Sequence, residues 1–296
     1  MKKEAENTGV VLYSRRHLVF VVPLLLLHFA CLLVFWVGVS STALKVFAVF
    51  TFVRCFGITA GYHRLLSHQS YKTSRTVRFV IILMGTLAGQ NGPLWWVAHH
   101  RIHHRFSDHD GDVHSPRDGF FWSHVGWLFS PTNTVALMRM VPDLMRQPEI
   151  MFLQRYYYVF HALLFIGLFT VGEILRVHQP GLHTSGMQLV IWGGVLSMVC
   201  VFHCVWSANS VCHTYGSRRF KTRDNSRNNI LVALVTLGDG WHNNHHQYPS
   251  SARHGLVWWE LDINYLLLKL LRILGIVWDL RQPGKVLTQD SGIKEI

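Results

Sequence analysis

Histidine carries the chemistry in this chain. His63-Arg64-Leu65-Leu66-Ser67-His68 is an HxxxxH, His100-Arg101-Ile102-His103-His104 an HxxHH, Asn209-Ser210-Val211-Cys212-His213 an NxxxH, and His242-Asn243-Asn244-His245-His246 a second HxxHH. At about 3.6 residues per turn, positions i, i+3 and i+4 share one helix face, so each HxxHH should aim three imidazoles one way, and two such faces can enclose two metals. HxxxxH sets its histidines about 140° apart on an ideal helix, so that pair should reach different metals or straddle a helix end. Neutral imidazoles without a thiolate or a carboxylate box favour a borderline divalent ion, and zinc, copper, iron and nickel all accept imidazole.

Not all of the 20 histidines need a metal. His28, His161 and His203 stand alone in apolar runs and read as satisfied core or interface residues. His17, His178 and His183 read as surface residues at helix ends. His99, His109 and His114 lie beside the second box and are expected as outer partners, not ligands. Chance does not explain three boxes at these spacings, each just past an apolar run.

The elements that position the boxes are apolar helices. Half of the residues are hydrophobic, 15% are charged and mean hydropathy is +0.21, a balance typical of membrane proteins. Spanning a bilayer core takes roughly 20 apolar residues, and four stretches qualify: about 18–39, 43–62, 156–175 and 187–206. Ser40-Ser41-Thr42 joins the first pair and a loop at Pro180-Gly181 the second. The reading is therefore all-α and integral to the membrane, with four transmembrane helices in two hairpins, as one domain over 1–296. The first run is too long for a signal-peptide core and should remain as an anchor. Val77 to Gly89 is apolar but short, as in a re-entrant or interfacial helix; Leu256 to Leu280, with Trp258, Trp259 and Trp278, suits a helix lying in the interface.

Two hairpins return the chain to its starting side, so the N-terminus, the C-terminus and every box share one face. Net charge is +12, with basic residues at Arg15-Arg16, Arg101 to Arg105 and Arg218 to Arg227, close to the ends of apolar runs. That distribution places the shared face in the cytoplasm. It matches no nucleic-acid module, and no nucleic-acid partner is expected. The five cysteines show no CxxC or spaced framework and read as reduced packing residues.

The boxes HRLLSH, HRIHH and HNNHH, with Asn209 and His213 between the last two, resemble those of membrane fatty acyl desaturases of the stearoyl-CoA (delta-9) type. The resemblance runs from about Gly57 to Asp279. It takes in Ile58-Thr59-Ala60-Gly61, Phe106-Ser107-Asp108, Asp112-Val113-His114, Gly119 to Trp127 and Gly238-Asp239-Gly240-Trp241. It implies a cytosolic helical cap, here 63–155 and 207–280, holding a di-metal site of two iron ions (Fe2+) that use O2 as co-substrate. The ligands it implies are His63, His68, His100, His103, His104, His213, His242, His245 and His246, with Asn209 acting through a water. It further implies a bent acyl tunnel with Gln90, Asn91, Trp96 and Trp206 at its kink and entrance, and a cis double bond, delta-9 by analogy.

Two departures bear on the substrate. Animal acyl-CoA members carry Arg-Lys after the GWL motif, where this chain has Ser130-Pro131-Thr132, and Ala98-His99 replaces charged residues before the second box. The acyl carrier stays open between acyl-CoA and a glycerolipid, and the pattern from Asp112 to Gly119 looks more like bacterial, cyanobacterial and plant members. Thr51 stands where animal enzymes have a tunnel-floor tyrosine, which leaves chain length open. Electrons should come from a separate protein such as cytochrome b5 or ferredoxin, since no fused module is visible, with Arg101, Arg105, Arg218 and Arg223 as a candidate docking surface. A di-iron hydroxylase or monooxygenase, or a membrane metal-binding or transport protein, are the alternative readings. The few ionisable residues in the spans argue against transport.

Overall fold

The computed structural model describes residues 21–134 and 137–284. Leu18 to Phe20 of the first predicted span, and the Arg15-Arg16-His17 group before it, lie outside the described residues. Helix dominates the described chain, whose strands form a two-residue antiparallel ladder, β1 (Lys72–Thr73) with β2 (Val277–Trp278).

Three helices are long and apolar enough to cross a membrane: α2 (Ser41–Ser67), α5 (Pro148–His178) and α6 (Gly186–His213), with a shorter apolar helix, α1 (Val21–Val37), before them. Gly38 at φ +68° turns the chain between α1 and α2. Ser40 then caps α2, its Oγ accepting from Ala43 N at 3.1 Å, which satisfies one of the backbone donors left free at the helix start. Gln188 of α6 fastens this end by donating to Val37 O at 3.0 Å and accepting from Ser40 Oγ at 2.6 Å. The α5–α6 turn passes through Pro180–Leu182 and a left-handed His183. Exposed Phe29, Phe35, Trp36, Leu163 and Ile166 give the helices an apolar outer surface, as lipid contact demands.

Each long helix outruns its predicted span. α5 begins at Pro148 and carries non-helical angles at Tyr156, where the apolar stretch starts. Its first turns interleave Glu149, Gln154 and Arg155 with Ile150 to Leu153, which lowers their hydropathy below that of a span although they are helical. α2 continues through the first histidine box because Gly57–Ser67 is π-helical. A side chain at Gly57 could not be accommodated, since its Cβ would fall 2.1 Å from Gly85 N. Bare backbone there lets α3 (Arg75–Thr86) pack directly on α2. The predicted interfacial helix at 256–280 is shorter than expected: α9, as numbered below, occupies Ile263–Ile273, and the chain then enters β2.

Besides short helical turns such as Phe120–His124 and Pro142–Met145, the helices that matter for the site are α4 (Pro93–Phe106), α7 (Ile230–Val235), α8 (His242–Gln247) and α9 (Ile263–Ile273). They gather at one end of the long helices, over a core that includes Tyr62, Leu94, Val97, Leu153 and Leu268. All five cysteines are free.

Candidate metal centre

Each histidine box lies on a helix that ends in the cap: box one at the end of α2, box two on the last turns of α4, His213 at the end of α6 and box three on α8. Their nitrogens fall into two sets, His63, His68, His100, His104 and His245 in one, and His103, His213, His242 and His246 in the other, with the ligand atoms of each set within 4.8 Å of one another. All nine histidines expected as ligands fall in these two sets and Asn209 in neither, and the division differs from the one the spacing suggested.

Neither HxxHH aims all three rings one way. About 100° per residue carries i+4 some 40° past i and leaves i+3 about 60° short of it. His100 and His104 therefore turn to the five-histidine set while His103 turns to the other. In box three the assignment is reversed, His242 and His246 serving the four-histidine set and His245 the five. The HxxxxH pair joins a single set. The π-helical bond from His68 N to His63 O, 3.2 Å long, widens the turn so that residues five apart stand nearly in line, and their ring centroids are 4.9 Å apart. His68 also caps the helix end, as one of the two expectations had it.

Carboxylates, which the box spacings did not suggest as parts of the site, stand behind four of the rings. His63 Nδ1 donates to Asp239 at 2.7 Å, His213 Nδ1 to Asp108 at 2.8 Å, His246 Nδ1 to Asp224 at 2.7 Å, and His103 Nδ1 is shared by both Asp112 oxygens at 3.1 Å. With Nδ1 holding the hydrogen, a neutral ring presents a lone pair on Nε2, the orientation that carboxylate–histidine–metal triads impose. Burial opposes charge on Asp112, Asp224 and Asp239, yet the facing histidines, and Arg64 at Asp239, hold all three well below the usual carboxylate range. Asp108 and Asp112 sit shortly after box two and Asp239 shortly before box three, which was a usable signal; Asp224 lies in a basic loop with none.

The donor set suits metal ions. Nε2 atoms approach at 3.0 Å between His63 and His245, 2.9 Å between His104 and His245, and 3.0 Å between His213 and His242. One Nε2–H on His245 cannot serve both His63 and His104, nor one on His242 both His213 and His246, whereas a cation about 2.0–2.1 Å from each nitrogen would satisfy them together. His103 Nε2 is buried with no hydrogen-bond partner. Burial first, then neighbouring imidazoles, push His100, His104, His242 and His245 well below the normal histidine range, so these rings are neutral as ligation requires. His246 is lowered to about 4, burial outweighing Asp224. At His103 burial acts the same way, but Asp112 outweighs it and the pKa is raised.

Of the outer histidines, His99 donates to Trp95 O at 2.8 Å and His109 meets Arg223 O at 3.2 Å; neither belongs to the two sets. His114 packs 4.4 Å from the His103 ring. His254 was not anticipated, being in no box; it is buried 4.6 Å from the His245 ring and 3.3 Å from Asp239. His28 and His203 are satisfied as expected but not scattered: their Nε2 atoms are 3.2 Å apart, and His203 Nδ1 is 3.0 Å from His124.

A cavity of about 260 Å³ leads from the membrane helices to this centre. All four residues expected at the acyl chain, Gln90, Asn91, Trp96 and Trp206, line it, as do His100 and Asn209. Trp96 donates to Gln90 Oε1 at 3.0 Å and stacks on His100 at 5.0 Å, which couples the cavity wall to the five-histidine set. Asn209 lies one helical turn before His213. Leu24, Leu27, Phe165 and Phe202 also line it, so a guest would lie in an apolar slot that reaches His100.

Of the docking arginines expected, Arg101 is committed: it pairs with both Asp143 oxygens at 2.7 and 2.8 Å and donates to Leu66 O and Met140 O.

Comparison with known proteins agrees with this geometry. The family model described as fatty acid desaturase matches residues 40–269. A sn-1 stearoyl-lipid 9-desaturase of Anabaena variabilis is 41% identical over 231 residues, 77% of this chain and 80% of that protein. Delta-9 acyl-lipid desaturase 1 of Arabidopsis thaliana is 38% identical over 264 residues, 88% and 82% of the two chains. An acyl-CoA 5-desaturase of Anemone leveillei is 38% identical over 234 residues, 78% and 69%.

Proposed function

The chain belongs to the fatty acid desaturase family and is a membrane oxidoreductase, and from that premise we propose that it inserts a cis double bond at the delta-9 position of a lipid-bound saturated acyl chain. The observation that carries this reading is an apolar cavity lined by His100 of the five-histidine set and by Asn209, one helical turn before His213 of the four-histidine set. Removing two hydrogens from unactivated methylenes, with O2 and two electrons and two protons giving two waters, requires a redox-active centre. Zinc has no redox chemistry, and two irons would supply the oxidising power when bound. His63, His68, His100, His104 and His245 would hold one; His103, His213, His242 and His246 the other, with Asn209 completing it through a water.

The rest of the work falls to this chain's own residues. Asp108, Asp112, Asp224 and Asp239 keep the rings oriented. The apolar walls exclude water, and because an alkyl chain offers no polar handle, selection of one methylene pair rests on where the slot stops and bends. Gln90, Asn91, Trp96 and Trp206 form that bend in this reading. A glycerolipid carrier is favoured by the uncharged Ser130-Pro131-Thr132 segment and by the stearoyl-lipid and acyl-lipid names of similar proteins.

The proposed topology is four spans in two hairpins, α1 being the fourth, with both termini and the cap in the cytoplasm and the whole acting as one domain. Positive charge flanking the cap side supports that orientation. A separate donor, a cytochrome b5 or a ferredoxin, would deliver electrons at a surface including Arg105, Arg218 and Arg223. Expression in a host lacking its own desaturase, with double-bond location in the extracted lipids, tests the reaction. A product that gains an oxygen instead of losing two hydrogens would make the chain a hydroxylase. Isolated membranes given labelled stearoyl-CoA or labelled stearoyl-glycerolipid decide the carrier.

A further inference from the structure

Arg54 is an arginine inside a membrane helix, and the chemistry above does not use it. It is fully buried in α2, about 20 Å along the axis from Ser41 and so within a hydrocarbon core about 30 Å thick. Among the described residues no carboxylate pairs with it. Its guanidinium donates instead to Leu87 O and Gly193 O, each at 2.8 Å, and to Ser197 Oγ, and its Cζ lies 5.5 Å from the Phe50 ring. An ionisable group so placed is costly and is kept where it serves a function.

The partners show what it serves. Leu87 caps the C-terminal end of α3, where carbonyls lack helical partners, and leads within a few residues to Gly89, Gln90 and Asn91 of the slot. Gly193 lies in the π-helical stretch Val190–Leu196 of α6, and Ser197 directly precedes Met198, on the facing wall. The two walls touch there: a Cβ on Gly89 would lie 2.5 Å from Met198 Sδ, and Gly89 has φ +74°. Asn91 is also left-handed, at φ +63°. Backbone bonds tie Ala88 N to Gly85 O at 3.0 Å and Gly89 N to Thr86 O at 3.2 Å, and beyond Gly89 the left-handed residues break the helical pattern, so a grip on Leu87 O steadies the turn that leads into the slot.

We infer that Arg54 is a positioning residue: by gripping Leu87, just before Gly89 of one wall, and Gly193 and Ser197, just before Met198 of the other, it sets the spacing of the slot at its bend and thereby which methylene pair faces the histidines. This rests on the desaturase reading and adds the determinant of bond position to it. Charge suits the task, because one guanidinium reaches three oxygens on two elements and bonds them more strongly than a neutral amide would.

The test compares full-length Arg54→Gln, Arg54→Lys and Ser197→Ala with the parent chain in a desaturase-free host, measuring iron per purified chain and double-bond positions in the product. Iron should stay at the parent level. The ratio of the main positional isomer to its neighbours should fall about fivefold in Arg54→Gln and less in Ser197→Ala, the effect of losing roughly one hydrogen bond at the bend; Arg54→Lys should recover part of it. An unchanged isomer ratio with iron retained overturns the inference, as does loss of iron and product together, which would make Arg54 a support of the whole cap. Should Arg54→Gln not accumulate, Ser197→Ala decides: an unchanged ratio there overturns it. A parent chain that makes no unsaturated product fails the desaturase reading itself, a result seen before any variant is compared.

Discussion

Asp224→Asn should weaken one of the two metal positions and spare the other. Asp224 Oδ2 accepts from His246 Nδ1 at 2.7 Å and Oδ1 from Ser226 N at 3.0 Å, and His246 belongs only to the four-histidine set. A hydrogen bond to a charged group contributes about 1.5–3 kcal/mol, and asparagine keeps the shape while removing the charge. At about 1.4 kcal/mol per tenfold, affinity at the four-histidine position should fall about 10–100-fold, in line with the usual effect of losing a ligand's orienting partner. The five-histidine position has its own carboxylate, Asp239 behind His63, and should bind as before. Purified enzyme titrated with a competing chelator should lose iron in two steps, with the variant's first step moved to lower chelator concentration and its second unmoved. A parallel shift of both steps, or no shift, would refute the division of the nine ligands into separate sets.

Replacing a ligand outright is harsher: His103→Ala and His245→Ala, one from each set, should each abolish product while membrane fractionation shows normal insertion. Asn209→Ala should leave a partial defect of about 10–100-fold in metal affinity or activity, read from product formed per unit of membrane protein. Gly57→Ala should destabilise the fold by roughly 1–3 kcal/mol or more, because its Cβ would meet the Gly85 backbone at 2.1 Å; a lowered melting temperature in detergent is the check, and an unchanged one would mean that α3 can move away freely.

Much of this protein could be read without coordinates. Histidine spacing announces metal chemistry because ligands must recur at helical intervals, and the apolar runs announce membrane helices because a bilayer leaves the backbone no alternative. The nine histidines of the two sets follow from motifs that are local in the chain, and the four slot residues from the family resemblance those motifs carry. Which ring serves which metal does not: it depends on a π-helical turn between His63 and His68 and on the rotation of α4 and α8 about their axes, and neither alters the spacing of the letters. Asp224 and His254 gain their roles only through contacts across the fold. Arg54 looks like one stray charge in an apolar run until α3 and α6 close around it. Short-range periodicity, then, determined the inventory of the site, while packing between distant segments decided its partition and supports, because hydrogen bonds and close contacts follow distance in space and not order along the chain.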